Sequence, residues 1–143
     1  MADLAVERYR KGVEAALDRW QKKVKPVADQ IEKLNLVLKE LLQNKSPSPE
    51  EKKKIEDCKA AREKLKKLLD KFAMELKLDV SLLEAPQKTK ANEKELIKLP
   101  TVIKDLIKKK GISLGTVTIK PQIDIEFPSF KIKEAGVIVE FTF

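Results

Sequence analysis

A heptad repeat of apolar side chains runs through the first forty residues and limits the possible folds more than any other feature. One line of the repeat consists of Val6, Val13, Trp20, Val27, Leu34 and Leu41, and the other of Leu17, Val24, Ile31 and Leu38, with Arg10 as its polar member. Alternating steps of three and four residues place one apolar stripe along a helix, in the phase of a coiled coil. We therefore predict a helix over about residues 3–44.

Pro26 interrupts this helix. A proline removes a backbone hydrogen bond and crowds the carbonyl four residues earlier, here that of Lys22, which costs about 3 kcal/mol in a regular helix. The apolar stripe nevertheless continues in phase from Val24 to Val27. The sequence therefore predicts a kinked helix, with a break at Pro26 as the alternative.

A second long helix begins at a capping box. Ser48 suits the N-cap, Pro49 suits the first helical position, and Glu51 stands three residues after the cap. The apolar stripe of this helix reads Ile55, Cys58, Arg62, Leu65, Leu69, Phe72 and Leu76, with Arg62 as its polar member. We expect the helix to reach about Glu84. Because the connection is short, residues 1–85 are predicted to form an antiparallel helical hairpin.

Residues 86–111 are predicted to form a basic linker and a third helix. Asn92 and Glu95 form a second candidate capping box, and Gly111 follows the expected end of the helix. The apolar residues of this helix are Leu96, Ile97, Leu99, Val102, Ile103, Leu106 and Ile107. Pro100 either kinks the helix or begins a shorter one.

The period of the apolar residues changes to two in residues 112–143. The alternating residues are Val117, Ile119, Ile123, Ile125, Phe127, Phe130, Ile132, Val137, Val139, Phe141 and Phe143. Pro121 and Pro128 punctuate the earlier strands, and residues 134–136 suit a hairpin turn. We predict a small antiparallel sheet of three or four strands with one apolar face.

The three segments together predict an α+β fold in one elongated domain: a long, coiled-coil-like antiparallel helical hairpin, a third helix, and a small C-terminal antiparallel β-sheet. A sheet this small is marginal in water unless one face is covered. We expect a compact head in which the sheet and third helix cover the hairpin base, whose additional apolar residues are Leu4, Tyr9, Met74, Leu78, Val80 and Leu82. The rest of the hairpin would then project as a stalk, unless the third helix lies back along it.

Most enzyme classes are disfavoured by composition, because the chain contains no histidine and one cysteine. Histidine is the usual base at neutral pH and the commonest metal ligand. Cys58 lies on the apolar stripe, as expected of a small buried side chain. Asp124, Glu126 and Glu140 are the carboxylates that most resemble a catalytic pair or site, but the polar alternation of a solvent-facing strand explains them without a site, and we favour that explanation. We expect a noncatalytic protein with no cofactor, no metal and no small-molecule substrate.

An apolar cluster near the end of the first helix includes residues outside the two lines of the repeat. The cluster consists of Leu36, Val37, Leu38, Leu41 and Leu42. Exposed contiguous apolar surface usually marks an interaction site, so we predict that a protein partner binds here. The alternative is that the third helix folds back over the cluster, or that a break at Pro26 buries it.

The net charge of +8 is unevenly distributed, because residues 86–111 carry eight basic and three acidic side chains. The basic patch consists of Lys88, Lys90, Lys94, Lys98, Lys104, Lys108, Lys109 and Lys110. Such a patch can contact phosphates, acidic headgroups or an acidic protein. All eight are lysines and no aromatic side chain is interleaved for base stacking, so the patch is weak evidence for nucleic-acid binding.

We expect a noncatalytic adaptor, chaperone-like protein or assembly factor that binds a protein partner, acidic in charge, or a second copy of itself through the hairpin. The alternative is a basic module that binds nucleic acid or an anionic membrane through the third helix. A third class is a small toxic effector or its inhibitor. The N-terminus lacks the basic region of a signal peptide, and no apolar stretch is long enough to span a membrane, so we expect a cytoplasmic protein.

Overall fold

The computed structural model describes residues 4–142 and has the predicted α+β fold, with three helices followed by a three-stranded antiparallel sheet. The helices are α1 (Leu4–Leu42), α2 (Pro49–Ser81) and α3 (Glu93–Lys109), and the strands are β1 (Ile112–Leu114), β2 (Val117–Glu126) and β3 (Lys131–Phe141). The predictions for residue 3 in the first helix and for Phe143 in the last strand lie outside the described residues. One apolar core contains side chains from every helix and from the sheet.

Helix α1 is continuous through Pro26, which excludes the predicted alternative of a break. Its 39 residues span about 58 Å at 1.5 Å per residue. Pro26 is exposed, so its ring and the missing hydrogen bond lie on the solvent side of the helix. Val24, Val27 and Ile31 remain buried on the opposite side, and their packing offsets the cost of the proline.

Helix α2 begins at the predicted capping box. The Glu51 amide donates to the Ser48 hydroxyl at 3.2 Å, and the Ser48 amide donates to the Glu51 carboxylate at 3.4 Å. Two ion pairs between α1 and α2, from Arg19 to Asp79 and from Lys23 to Glu75, confirm that the helices run antiparallel, because the residue numbers change in opposite directions.

Asn92 precedes α3 but does not cap it, in contrast to the predicted capping box. Its side chain makes no capping hydrogen bond to the helix. The Asn92 side-chain oxygen instead accepts from the Thr89 amide at 2.7 Å, and its side-chain nitrogen donates to the Gln87 backbone carbonyl at 2.7 Å. The buried Asn92 side chain therefore organises the linker. Helix α3 continues through Pro100, so no shorter helix begins there.

The predicted turn at residues 134–136 is wrong. These residues lie inside β3, where Glu134 pairs with Asp124 and Gly136 pairs with Gln122. The connection between β2 and β3 falls instead at residues 127–130, so the sheet has three strands within the described residues. A register shift between Asp124 and Ile125 skips Lys133 and keeps apolar side chains on the inner face.

Pro121 lies inside β2 and does not end a strand as predicted. Strand β1 pairs with β2 only as far as Ile119, which faces Ile112. Beyond that point β2 has a neighbour on one side only, through the pairing of Pro121 with Val137. A residue without an N–H group is tolerated at such an open edge.

The sheet lies along the hairpin. At one end, Phe130 packs edge-to-face on Tyr9 near the start of α1, with 5.0 Å between the ring centroids. At the other end, Thr116 donates to Glu32 and accepts from Asn35. The sheet therefore extends further along α1 than the predicted compact head, and only the hairpin tip, meaning the parts of α1 and α2 beyond the sheet, projects from it.

Several apolar residues predicted to lie in the covered head are exposed instead. Tyr9 and Val80 are buried as expected, whereas the exposed residues are Leu4, Met74, Leu78 and Leu82. The difference arises because the sheet occupies the face of α2 that carries Leu69, Ala73 and Leu76, and Leu78 lies about 180° from Leu69 around that helix.

Candidate functional site

The two long helices meet along a seam on the side of the hairpin away from the sheet, and the base half of this seam is closed by charged side chains. Arg19 Nε lies 3.4 Å from Asp79 Oδ2, and Lys23 Nζ lies 2.6 Å from Glu75 Oε2. The hydrogen bond from Lys23 holds the pKa of Glu75 below its ordinary value. These side chains cross the junction between the helices and cover its apolar interior.

The tip half of the same seam is open and forms a groove of about 470 Å³, which we call the tip groove. All of its lining residues belong to α1 and α2. Its apolar floor consists of Leu34, Val37, Ala61 and Leu65, and its polar rim of Gln30, Lys33 and Lys64. Both rim charges are positive. An apolar floor with a polar rim is the composition of a typical protein interface.

The predicted partner-binding residues do not share one surface. Leu36, Val37 and Leu42 are 50%, 45% and 57% exposed, so neither α3 nor a break at Pro26 covers them. Leu38 is 1% exposed and belongs to the interior, which corrects its inclusion in the surface. Leu41 is half-buried.

Val37 is the only member of the predicted cluster that lines the tip groove. Consecutive residues on a helix are about 100° apart, so Leu36 faces a different direction from Val37. The groove also contains two residues of α2, Ala61 and Leu65, that sequence reasoning missed. Both lie on or beside the stripe of the second helix, but the register between the helices was needed to bring them next to Val37.

Polar side chains fasten the sheet to the hairpin where the tip begins. The Arg62 guanidinium donates to the Asn35 side-chain oxygen at 3.0 Å, and the Asn35 side-chain nitrogen donates to the Thr116 hydroxyl at 3.2 Å. The Thr116 amide donates to Glu32 at 2.7 Å, and the Arg62 guanidinium lies 4.7 Å from the centre of the Phe141 ring. We call these five residues the clasp. The buried Asn35 side chain thus has a hydrogen-bond partner at both its oxygen and its nitrogen, as is usual for a buried amide.

The predicted basic patch is divided by the structure. Lys110 is largely buried and ion-paired with Asp18, and Lys88 pairs with Glu93 at 3.4 Å. The other six lysines are exposed and make no ion pair within residues 4–142, namely Lys90, Lys94, Lys98, Lys104, Lys108 and Lys109. Five of these six lie on the outer face of α3, opposite the buried Leu99 and Ile103.

An apolar cleft of about 390 Å³ lies between α3 and the turn after β2; we call it the base cleft. Its lining consists mainly of Pro86, Leu96, Ile97, Pro100, Phe127, Pro128 and Phe130. The Phe127 and Phe130 rings meet edge-to-face with 4.9 Å between centroids. Phe130 has a φ of 55°, a left-handed conformation that costs a non-glycine residue about 1–2 kcal/mol. Burial beneath Phe130 raises the pKa of Tyr9 to about 12.

A third exposed apolar feature is a stripe on the outer face of α2 that the sequence reasoning assigned to the core. Met74, Leu78 and Leu82 follow one another at intervals of four residues and are 58%, 58% and 75% exposed. Their spacing is visible in the sequence. The stripe lies about 180° around the helix from the buried line of Leu69 and Leu76, and that offset could have identified the stripe as a separate face.

The carboxylates of the sheet do not form the predicted group. Glu140 pairs with Thr118, six residues along β2 from Asp124, and its carboxylate lies 3.9 Å from Lys120. Asp124 faces Glu134 instead. Within residues 4–142, no three acidic or cysteine side chains converge as a metal site would require. Cys58 is half-buried.

Comparison with protein-family models, curated proteins and solved structures found no match to this chain. Across residues 4–142, no helix is both long enough and apolar enough to cross a membrane.

Proposed function

We propose that this protein is a noncatalytic interaction module that binds an amphipathic helix of a partner protein in the tip groove. The observation that carries the proposal is the contrast within one seam. Ion pairs close the seam at Arg19 and Lys23, whereas at Val37 and Leu65 its apolar floor is open to solvent. A groove between two helices suits a third helix, whose apolar side chains would enter at intervals of three and four residues.

The charges at the rim favour an acidic partner. Lys33 and Lys64 flank the floor on opposite helices, and neither makes an ion pair within the described residues. Asp or Glu residues beside the apolar face of the partner helix would meet these lysines. A second copy of this chain would bring the same lysines against each other. The partner is therefore proposed to be a different protein with an acidic amphipathic helix.

Leu36 and Val37 provide a matched pair of variants for testing the proposal. They are neighbours with similar exposure, but only Val37 lines the groove. The probe is a phage-displayed library of helical peptides selected against the native protein. We expect selected peptides to carry acidic amphipathic sequences, to bind Leu36→Glu normally, and to lose at least tenfold in affinity for Val37→Glu.

Three outcomes contradict the proposal. The library yields no binder, or the selected peptides bind both variants equally, or they are basic. Sedimentation equilibrium tests whether the groove binds a second copy of this chain. A dimer that dissociates in Val37→Glu would show that it does. Circular dichroism of both variants checks that the helices are retained.

The proposal retains the adaptor, chaperone-like and assembly roles as forms of one activity, the binding of a partner helix. The cytoplasm is the proposed compartment because a chain with one cysteine forms no internal disulfide and has no need of an oxidising environment.

A further inference from the structure

The outer face of α3 places an exposed isoleucine among unpaired lysines. Ile97 is 73% exposed. At about 100° per residue, Lys104 and Lys108 lie within about 20° of Ile97 around the helix axis, and Lys94 lies about 60° to one side. Glu93, about 40° from Ile97, is the acidic residue within this arc, and its carboxylate is ion-paired with Lys88 at 3.4 Å. A single exposed isoleucine is common on protein surfaces, and it indicates a binding surface only where it belongs to a contiguous apolar patch.

The apolar surface continues from Ile97 into the base cleft. Pro100 lies about 60° from Ile97, on the side opposite Lys94, and lines the cleft together with Pro128. The rings of Phe127 and Phe130 form the opposite wall and are held by their edge-to-face contact. One side of the molecule therefore presents an apolar depression, bordered by lysines of α3 and by the Lys88–Glu93 ion pair.

We infer that this side of the protein binds the surface of an anionic phospholipid bilayer, with Ile97 and the cleft rim entering the headgroup region. Lysines at the edge of an apolar surface meet the negative charge of the headgroups, while the apolar side chains leave water. The buried face of α3 carries Leu99, Ile103 and Ile107, which stay in the core. The protein therefore lies on the bilayer and does not insert this helix.

Nucleic acid fits the same surface less well. The basic residues of α3 are all lysines, which bind phosphate as point charges, whereas arginine makes the paired contacts common in nucleic-acid recognition. No aromatic side chain stands among Lys94, Lys104 and Lys108 for base stacking. An exposed isoleucine gains nothing from a phosphate backbone, but it gains from contact with acyl chains.

Two sets of charge reversals with the same change in net charge test the inference. The first is Lys94→Glu, Lys104→Glu and Lys108→Glu on α3. The control changes three exposed lysines of the hairpin tip, Lys39→Glu, Lys52→Glu and Lys53→Glu. Binding is measured by flotation with vesicles of phosphatidylcholine alone and of phosphatidylcholine mixed with phosphatidylserine, at several salt concentrations.

We expect binding to the mixed vesicles only, and a loss of about a hundredfold in the α3 variant, because each lysine near an anionic surface contributes about fivefold. The control variant should retain most of the binding. Ile97→Asn, at an exposed position that leaves the core intact, should lower binding about tenfold, whereas Ile97→Leu should preserve it.

The inference is overturned if the native protein binds neither vesicle, or if both triple variants lose binding equally, which would indicate a response to net charge alone. It is also overturned if Ile97→Asn binds vesicles as well as the native protein does. A duplex RNA or DNA that binds more tightly than the mixed vesicles, and competes with them for α3, would assign the surface to nucleic acid.

Discussion

The base half and the tip half of the hairpin are built from the same two helices and the same heptad pattern, yet their surroundings differ. In the base half the sheet and α3 cover the hairpin, and Val13, Leu17 and Val24 are fully buried. Towards the tip, Leu34 and Leu41, which lie on the same line of the repeat as Val13, stay half-exposed, whereas Leu38, on the line of Leu17 and Val24, is buried. At the tip the two helices therefore bury one line of the repeat and leave the other half-exposed, and Leu34 of that second line forms part of the tip groove on the side away from the sheet.

The comparison separates stability from binding. A side chain that the sheet covers contributes to folding through its burial, whereas a side chain in the tip groove would leave water only on binding the proposed partner. We expect the largest effects on unfolding from substitutions in the base half and the largest effects on binding from substitutions in the tip groove.

Truncating one leucine in each half tests whether the base half contributes more to stability than the tip half. Leu76→Ala removes a buried side chain of the covered half and should lower the free energy of unfolding by about 2–5 kcal/mol. Leu36→Ala, at a half-exposed position beyond the sheet, should change it by less than about 0.5 kcal/mol. Urea unfolding followed by circular dichroism measures both values. Equal losses would show that the tip is as strongly packed as the base.

The clasp marks the boundary between the two halves, and a methyl group at Gly115 should open it. Gly115 has a φ of 50°, and an added Cβ would overlap the Glu32 carboxylate. We expect Gly115→Ala to cost about 1–3 kcal/mol and to lower hydrogen-exchange protection first at Val117 and Val139.

Gly136→Ala is the control for this variant, because its added Cβ meets only the Gln122 side chain at 3.8 Å. It should leave stability and protection nearly unchanged. Protection lost evenly across the whole sheet in Gly115→Ala would contradict a local role for the clasp.

The capping box should influence the tip alone. Ser48→Ala removes the acceptor for the Glu51 amide and should lower stability by about 1 kcal/mol, with fraying confined to the first turn of α2. Ser46→Ala, in the same loop, serves as the control. Thermal unfolding gives the stability, and amide exchange gives the location. Fraying that extends to Leu69 would show that tip and base unfold together.

The capping box also predicts a pH dependence. Hydrogen bonds from Asn44 and then from Ser48 lower the pKa of Glu51 from its ordinary value of 4.5. The contribution of Glu51 to stability is therefore complete above pH 4.5 and is lost as the pH falls through the lowered pKa. In Ser48→Ala, an NMR titration should find the pKa of Glu51 closer to 4.5.

The smallest effect is expected at the closed part of the seam. Lys23→Met removes the main cause of the lowered pKa of Glu75, so that pKa should rise towards its ordinary value of 4.5. Lys25→Met, at an exposed lysine without an ion pair in residues 4–142, should leave it unchanged. An NMR titration of Glu75 in both variants gives the answer. An equal shift in both would indicate a general charge effect and not a specific contact across the seam.

Local signals in the sequence were sufficient to predict the three helices and the α+β fold class. The start of α2 follows from Ser48, Pro49 and Glu51 because a capping box acts within four residues. The turn between the last two strands was misplaced, since residues 134–136 have turn-forming composition but are held in β3 by pairing with β2. Long-range pairing overrides local preference in such strands.

The candidate site was predictable only in part, for a related reason. The exposure of Leu36, Val37 and Leu42 follows from their positions outside the heptad lines. The groove itself depends on which residues of α2 lie opposite Val37, and that register is fixed by tertiary contacts. Arg62 illustrates the limit, because the sequence gives it as a polar interruption of a stripe, whereas in the fold it holds Asn35 and the Phe141 ring.

The residues of the clasp are far apart in the sequence, so they become available at different times while the chain is being synthesised. Its members Glu32, Asn35 and Arg62 leave the ribosome well before Thr116 and Phe141, because domains emerge from the N-terminal side. The tip groove, lined only by residues between 30 and 65, is complete once the hairpin has formed. The face of α2 that carries Leu69 stays uncovered until β3, the last strand, has been made. A nascent hairpin would therefore complete the tip groove, the proposed binding site, before its own core is closed.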